Sequence, residues 1–210
     1  MRTWTADDPK AGLMARKRDV IVKAAFAAFL RDGYAGSSVN RIAEDAGVSI
    51  KTLYRHFDNK DDLFVGVIQT ACKASTGAGD PPWLDLPPLD GLTQAGGDHL
   101  LFVLSAEQLA LYRVVTREAH RFPELGKRYQ SDVAGARIAQ LTRYFDLWPD
   151  SLRTKIRDPL RAAQAFGALL QGDLLETALL GGPIPSLDEV RAHAHYAARC
   201  LLALIDAGLV

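Results

Sequence analysis

Cysteine is scarce: Cys72 and Cys200 are the only two in 210 residues. Two distant cysteines make neither a disulfide framework nor a zinc cluster. They read as reduced thiols packed like small apolar residues. Long apolar runs are also missing. No stretch reaches the roughly 18 unbroken apolar residues of a membrane span, and the opening MRTWTADDPKAGLMARKRD lacks the apolar centre of a secretory leader. There is no glycine-rich phosphate loop and no Ser–Gly nucleophile elbow. His193 and His195 are two apart on a predicted helix and diverge, as do Glu118 and His120, so neither pair shares a metal or a proton. Glu189 and His193, four apart, read as a helix-face pair. These absences point to a cytoplasmic protein that is not an enzyme, with no cofactor, no metal site and no membrane partner, and the absence of strand-like alternation points to an all-α fold.

Charge of one sign is lacking overall, since 25 Lys/Arg match 25 Asp/Glu. The average hides an asymmetry. Residues 1–73 carry 12 Lys/Arg against 9 Asp/Glu, net +3, and residues 74–210 carry 13 against 16, net −3. A mildly basic head on a mildly acidic body suits a nucleic-acid ligand.

The chain is long enough for a small head, 1–60, and a larger body, 61–210. About nine helices are expected. Residues 1–13 read as a polar, mobile arm. Val20, Ile21, Ala24, Ala25, Ala28 and Phe29 form the apolar stripe of a first helix that Gly33 ends. Ser38 caps a short helix over Val39 to Asp45, Gly47 breaks the chain, and Ser49 caps a second over Ile50 to Phe57. Asp58 or Asn59 caps a fourth helix running to about Ser75. Residues 77–98, rich in Pro and Gly, predict a loop softened by Gly96–Gly97, a candidate hinge. Further helices are expected at 98–104, 105–120, 123–147, 158–180 and 186–208, the last opened by a Ser186/Glu189 capping box.

Two short helices around a glycine turn make a helix-turn-helix pattern. In the second helix Leu53 and Phe57 share an inward face. Ile50, Lys51, Thr52, Tyr54, Arg55 and His56 are left outside, a donor-rich set that fits a major groove.

The spaced pieces GY at 33–34, SSVNRIAEDAGVS at 37–49, TLYRHF at 52–57 and NKDDLF at 59–64 resemble the tetracycline-repressor (TetR) family over the first third of the chain. The resemblance implies a homodimeric transcription regulator. Its head binds double-stranded operator DNA, and a small effector in its body releases it. Lys51, Thr52, Tyr54 and His56 are then expected on the DNA backbone, helped by Ser38, Ser49 and Lys60. Arg55 is expected on a base, most simply guanine, and Asn40 is a second base candidate. Ile50 departs from the usual polar choice and would meet a thymine methyl. LYRVVTREAHRFPELGKRYQ at 111–130 and DPLRAAQAFGALLQGDLLETALLGG at 158–182 resemble the AefR-like branch of the same family.

Phe102, Leu109, Tyr112, Tyr144, Phe166 and Leu170 are candidates to line an effector pocket, with Arg121 or Gln171 as polar anchor. The absence of a charged cluster in an apolar run suggests a hydrophobic effector. By the family's pattern, the hairpin 158–208 would dimerise through Ala162, Ala163, Gly167, Gly172, Leu201, Leu204 and Ile205. The alternative is a small-molecule-binding helical protein, or an enzyme, carrying a vestigial head. DNA binding against ligand turnover separates the two.

Overall fold

The computed structural model describes residues 9–76, 80–131 and 135–210, with side chains in the first stretch described for 12–70. Of the arm expected at 1–13, residues 1–8 lie outside the described residues and Pro9 onward is helical. All regular structure among the described residues is helical: twelve α-helices and one 3-10 turn. They group into two units, Met1–Cys72 with Leu111–Asp132, and Lys73–Ala110 with Val133–Val210.

The first unit holds α1 (Pro9–Gly36), α2 (Val39–Asp45), α3 (Ile50–Leu53), most of α4 (Lys60–Thr76), the second half of α6 (Ala106–Ala119) and α7 (Pro123–Tyr129). Contacts divide the chain elsewhere than at residue 60. Phe64 of α4 meets Phe29 and Tyr34 edge-on, with centroids 5.1 and 5.3 Å apart, and Phe122 meets Tyr34 at 4.9 Å. Each such pair adds about 0.5–1.5 kcal/mol beyond area burial, so 61–72 and 111–132 belong with the head's core. In the predicted α1 stripe Ile21, Ala25, Ala28 and Phe29 are buried; Val22 takes the place expected of Val20, which is exposed.

Gly33 does end the regular run of α1: its φ of 73° and ψ of 171° lie where only glycine is at ease. A Cβ there would strike the Arg117 guanidinium. α4 is capped as expected, since Asn59 Oδ1 accepts the Asp62 N–H at 2.8 Å; Asp62 Oδ2 in turn accepts the Asp58 N–H at 3.1 Å.

The second unit holds α5 (Pro88–Val103), the start of α6, α8 (Gly135–Asp146), α9 (Asp150–Arg153), α10 (Pro159–Gln171), α11 (Leu174–Leu179) and α12 (Leu187–Asp206). The loop expected at 77–98 is mostly ordered helix: a 3-10 turn at Pro82–Asp85, then α5, which absorbs the short helix expected at 98–104. Only 77–79 lie outside the described residues. Pro88 sits in the first turn of α5, where a missing N–H and fixed φ do no harm. Nor is Gly96 a hinge. It is buried, and a Cβ on it would come within 2.8 Å of Leu170 and 3.2 Å of Ala194 and Phe166. Its bareness lets α5 lie close against α10 and α12.

The single helix expected at 158–180 is two, while that expected at 123–147 is helical over 123–131 and 135–146, with 132–134 outside the described residues. Gly172, at φ 42° and ψ −131°, separates α10 from α11. The capping box at Ser186 and Glu189 is present. Glu189 is therefore committed to the helix start and does not pair with His193. His193 Nε2 instead lies 3.1 and 3.0 Å from the Leu169 and Leu170 carbonyls, fastening α12 to the end of α10. Cys200 is half-buried and forms no disulfide among the described residues.

Candidate nucleic-acid interface

α2 ends in a glycine turn built for a sharp reversal. Gly47 has φ 64°, its N–H donates to Glu44 O at 2.9 Å, and Val48 N–H donates to Ala43 O at 2.9 Å. That pair of bonds satisfies the last carbonyls of α2 and aims the chain into α3. Ser49 Oγ accepts the Thr52 N–H at 3.1 Å and lies 2.8 Å from Thr52 Oγ1. Leu53 and Phe57 are buried as the spacing requires. Regular helix covers only Ile50–Leu53, shorter than the expected run to Phe57, and the rest is turn. Arg18 lies over the Phe57 ring at 5.1 Å and covers that end.

The predicted DNA residues divide into three groups. Ser38, Asn40, Ser49, Ile50, Lys51, Tyr54 and Arg55 are exposed together on α2, α3 and the turns beside them, Tyr54 at 50% and Ile50 at 37%. Thr52 is half-buried, with its hydroxyl engaged by Ser49. Ser38 stands at the start of α2 with extended backbone but makes no side-chain cap there. His56 and Lys60 are turned inward. His56 Nε2 is buried without a hydrogen-bond partner among the described residues, and burial, then the charges of Arg18, Arg55 and Lys17, push its pKa down. Lys60 donates to Ser37 O at 2.6 Å and lies 4.8 Å from the Tyr34 ring centre. Burial lowers its pKa as well, against the opposing pull of Glu118 and Asp61. Tyr34 beneath it donates to the Asp61 carboxylate. Lys60 thus braces the corner after α1.

The predicted pocket residues are shared between the two units. Tyr112 and Arg121 belong to the first unit, where Tyr112 meets Tyr129 at 5.7 Å and Arg121 lies over Phe122 at 5.5 Å. Tyr144 is committed to structure: its hydroxyl donates to Leu86 O at 2.8 Å and Pro87 O at 3.0 Å. Leu109, Phe166 and Leu170 are buried core. Phe102 and Gln171 remain half-buried, Phe102 under Arg137 at 4.6 Å and Gln171 beside His99 at 3.3 Å. His99 was not among the predicted residues. The signal for it was a lone histidine beside the apolar run Leu100–Leu104.

Of the predicted dimer residues, Ala162, Ala163, Leu201 and Ile205 are at most 2% exposed, inside this subunit's own core. They cannot supply a dimer surface, because α5 already covers the inner faces of α10 and α12. Leu204 is half-buried against the same core. Gly167 is half-buried with open space at its Cβ, and Gly172 is exposed. Among the described residues no group of His, Cys, Asp and Glu could hold a metal ion, and no helix is long and apolar enough to cross a membrane.

Residues 21–67 match the family of bacterial regulatory proteins called tetR, and residues 90–204 match the C-terminal domain of AefR-like transcriptional repressors. HTH-type transcriptional regulators of Staphylococcus aureus strains, USA300 among them, are 44% identical over 52 residues. That stretch is 25% of this chain and 28% of theirs, so the chain spans just over a quarter of these relatives' length. A crystal structure from Mesorhizobium loti MAFF303099, described as a TetR-family transcriptional regulator, superposes with a TM-score of 0.71 at 27% identity, covering 91% of this chain and 97% of that one. The flavonoid-responsive regulator FrrA superposes at 0.72 with 25% identity, over 90% and 96%.

Proposed function

The chain belongs to the tetR family of bacterial regulatory proteins, and from that premise we propose that it is a DNA-binding transcriptional repressor released by a small hydrophobic effector. The observation that carries the reading is the exposed set on the Ser49-capped helix and the turn after it: Lys51, Tyr54 and Arg55, with Asn40 exposed on α2. Hydroxyls and ammonium groups there suit phosphates, and a guanidinium suits the guanine edge. Because Lys60 and His56 are turned inward, the positive charge that α3 and the turn after it offer to DNA is that of Lys51 and Arg55.

In this reading the first unit carries DNA recognition, and the second carries effector binding and dimerisation. Two copies would set their heads on half-sites about 34–36 Å apart. The dimer surface would use the outward faces of α10 and α12, where Leu160, Leu187 and Tyr196 are 51%, 62% and 63% exposed. An uncharged effector is in keeping with the flavonoid response named for FrrA. The protein would work in the cytoplasm, where its operator lies, and it would perform no turnover.

The test is fluorescence anisotropy with DNA fragments selected by the protein from a random pool, at fixed salt. The expected result is a palindromic site bound at least about a thousand-fold more tightly than shuffled DNA, by a species of twice the 22.9 kDa chain mass in light scattering. No enrichment from the pool, or a monomer on DNA, would overturn it.

A further inference from the structure

We propose that His99 and Gln171 form the polar recognition point of an effector site in the second unit, selecting an uncharged, mostly apolar molecule that presents one hydroxyl or carbonyl oxygen. The inference rests on the effector-responsive reading above and names the class of molecule.

His99 lies one turn beyond Gly96 on α5, and Gly96 faces Phe166, Leu170 and Ala194 of α10 and α12. Its Nε2 lies 3.3 Å from the amide of Gln171, the last residue of α10. Its Nδ1 is buried and has no hydrogen-bond partner among the described residues. A buried nitrogen without a partner is destabilising, and native proteins rarely keep one without use. His193 supplies a comparison within the same unit. Its Nε2 reaches two backbone carbonyls, and among the described residues neither of its nitrogens is left buried without a partner. His99 has one nitrogen held and the other unengaged.

The imidazole is neutral. Burial, reinforced by the Arg137 charge, pushes its pKa down to about 3. Arg137 lies over Phe102, one turn farther along α5, and its charge also acts on the neighbouring Asp98 carboxylate. Arg137 and Asp98 thus act with opposite charge beside His99, and a neutral imidazole brings no charge of its own to hold an ionic ligand. A neutral imidazole suits a neutral oxygen in either tautomer. If the Gln171 amide donates to Nε2, then Nδ1 carries the proton and donates to a carbonyl or hydroxyl oxygen. If the amide is turned about, Nε2 donates to it and Nδ1 accepts from a hydroxyl.

The test uses the full chain with 15N-labelled histidine, titrated with phenol, toluene and benzoate as probes of one size. His99→Leu assigns the ring resonances. Phenol is expected to shift the His99 Nδ1 resonance saturably and to bind at least ten-fold more tightly than toluene or benzoate. In His99→Leu the preference for phenol over toluene should fall below three-fold while toluene binding persists. Gln171→Met, which leaves the imidazole in place, should also reduce the preference and keeps the test sound if the first variant misfolds. Equal binding of phenol and toluene, benzoate binding as tight as phenol, an unmoved Nδ1 resonance, or no binding by any probe overturns the proposal. Toluene releasing selected DNA without any phenol preference would sink this inference alone. Selected DNA that no apolar probe releases counts against the effector reading instead.

Discussion

The Tyr34 hydroxyl donates to the Asp61 carboxylate, tying the corner after α1 to the first turn of α4. Lys60, next in the chain to Asp61, sits on the ring of the same tyrosine and holds the Ser37 carbonyl. Burial and the Asp61 charge push the phenol's pKa up, so it stays a donor at any working pH. Tyr34→Phe keeps the ring contacts with Phe29, Phe64 and Phe122 and removes only this bond. A hydrogen bond to a charged group contributes about 1.5–3 kcal/mol, reduced here toward the lower figure because Asp61 is exposed. The urea midpoint of Tyr34→Phe should drop accordingly; an unchanged midpoint would mean that the contact does not hold the corner.

Gly96 and Gly97 are adjacent on one helix, yet their alanine variants should move stability in opposite directions. A methyl group on Gly97 would meet nothing within 4 Å, so Gly97→Ala should gain up to about 1 kcal/mol from helix propensity. Gly96→Ala would press on Leu170, Ala194 and Phe166 and should cost about 1–3 kcal/mol by overpacking. Thermal melts of the two single variants decide this. Stabilisation by both would mean that α5 is not closely seated on α10 and α12.

Acid should weaken the fold through His99. Its pKa falls from 6.5 to about 3 on folding, so as pH drops the unfolded chain takes up a proton first. The contribution is complete above about pH 6.5 and is lost progressively toward pH 3. At pH 5 the loss is on the order of 2 kcal/mol. His56, also pushed down by burial, adds a slope of the same sign. Urea midpoints at pH 7 and pH 5 should therefore converge in His99→Leu relative to the unaltered protein. A difference of the same size in both would remove His99 as the cause.

DNA recognition should separate residue by residue. Arg55→Ala should cost about 1–3 kcal/mol on the selected site and relax its sequence preference. Lys51→Ala should weaken selected and shuffled DNA alike and flatten the salt dependence by about one phosphate's share. Lys60→Ala, by contrast, should lower stability with little change in the salt slope, because its ammonium is spent on Ser37. Equal losses for Arg55→Ala on selected and shuffled DNA would strike out base reading by that residue.

Local rules in the sequence determined the helical class, the turn at Gly47, the caps at Ser49, Asn59 and Ser186, and the outward set Lys51, Tyr54 and Arg55. Each depends on residues within a few positions of one another, so spacing alone carries it. The helix at Pro88–Val103 was hidden because proline and glycine read locally as breakers, whereas Pro88 falls in a first turn and Gly96 lies under Leu170. Only packing between distant segments could decide that. The same holds for Lys60, whose place on Tyr34 depends on a partner 26 positions away, and for Ala162 and Leu201, whose small and apolar side chains suit an interface and a core equally well. His99 and Gln171, 72 residues apart, became neighbours only when α5 settled against the end of α10, because nothing in a chain's local periodicity encodes which buried nitrogen is left without a partner.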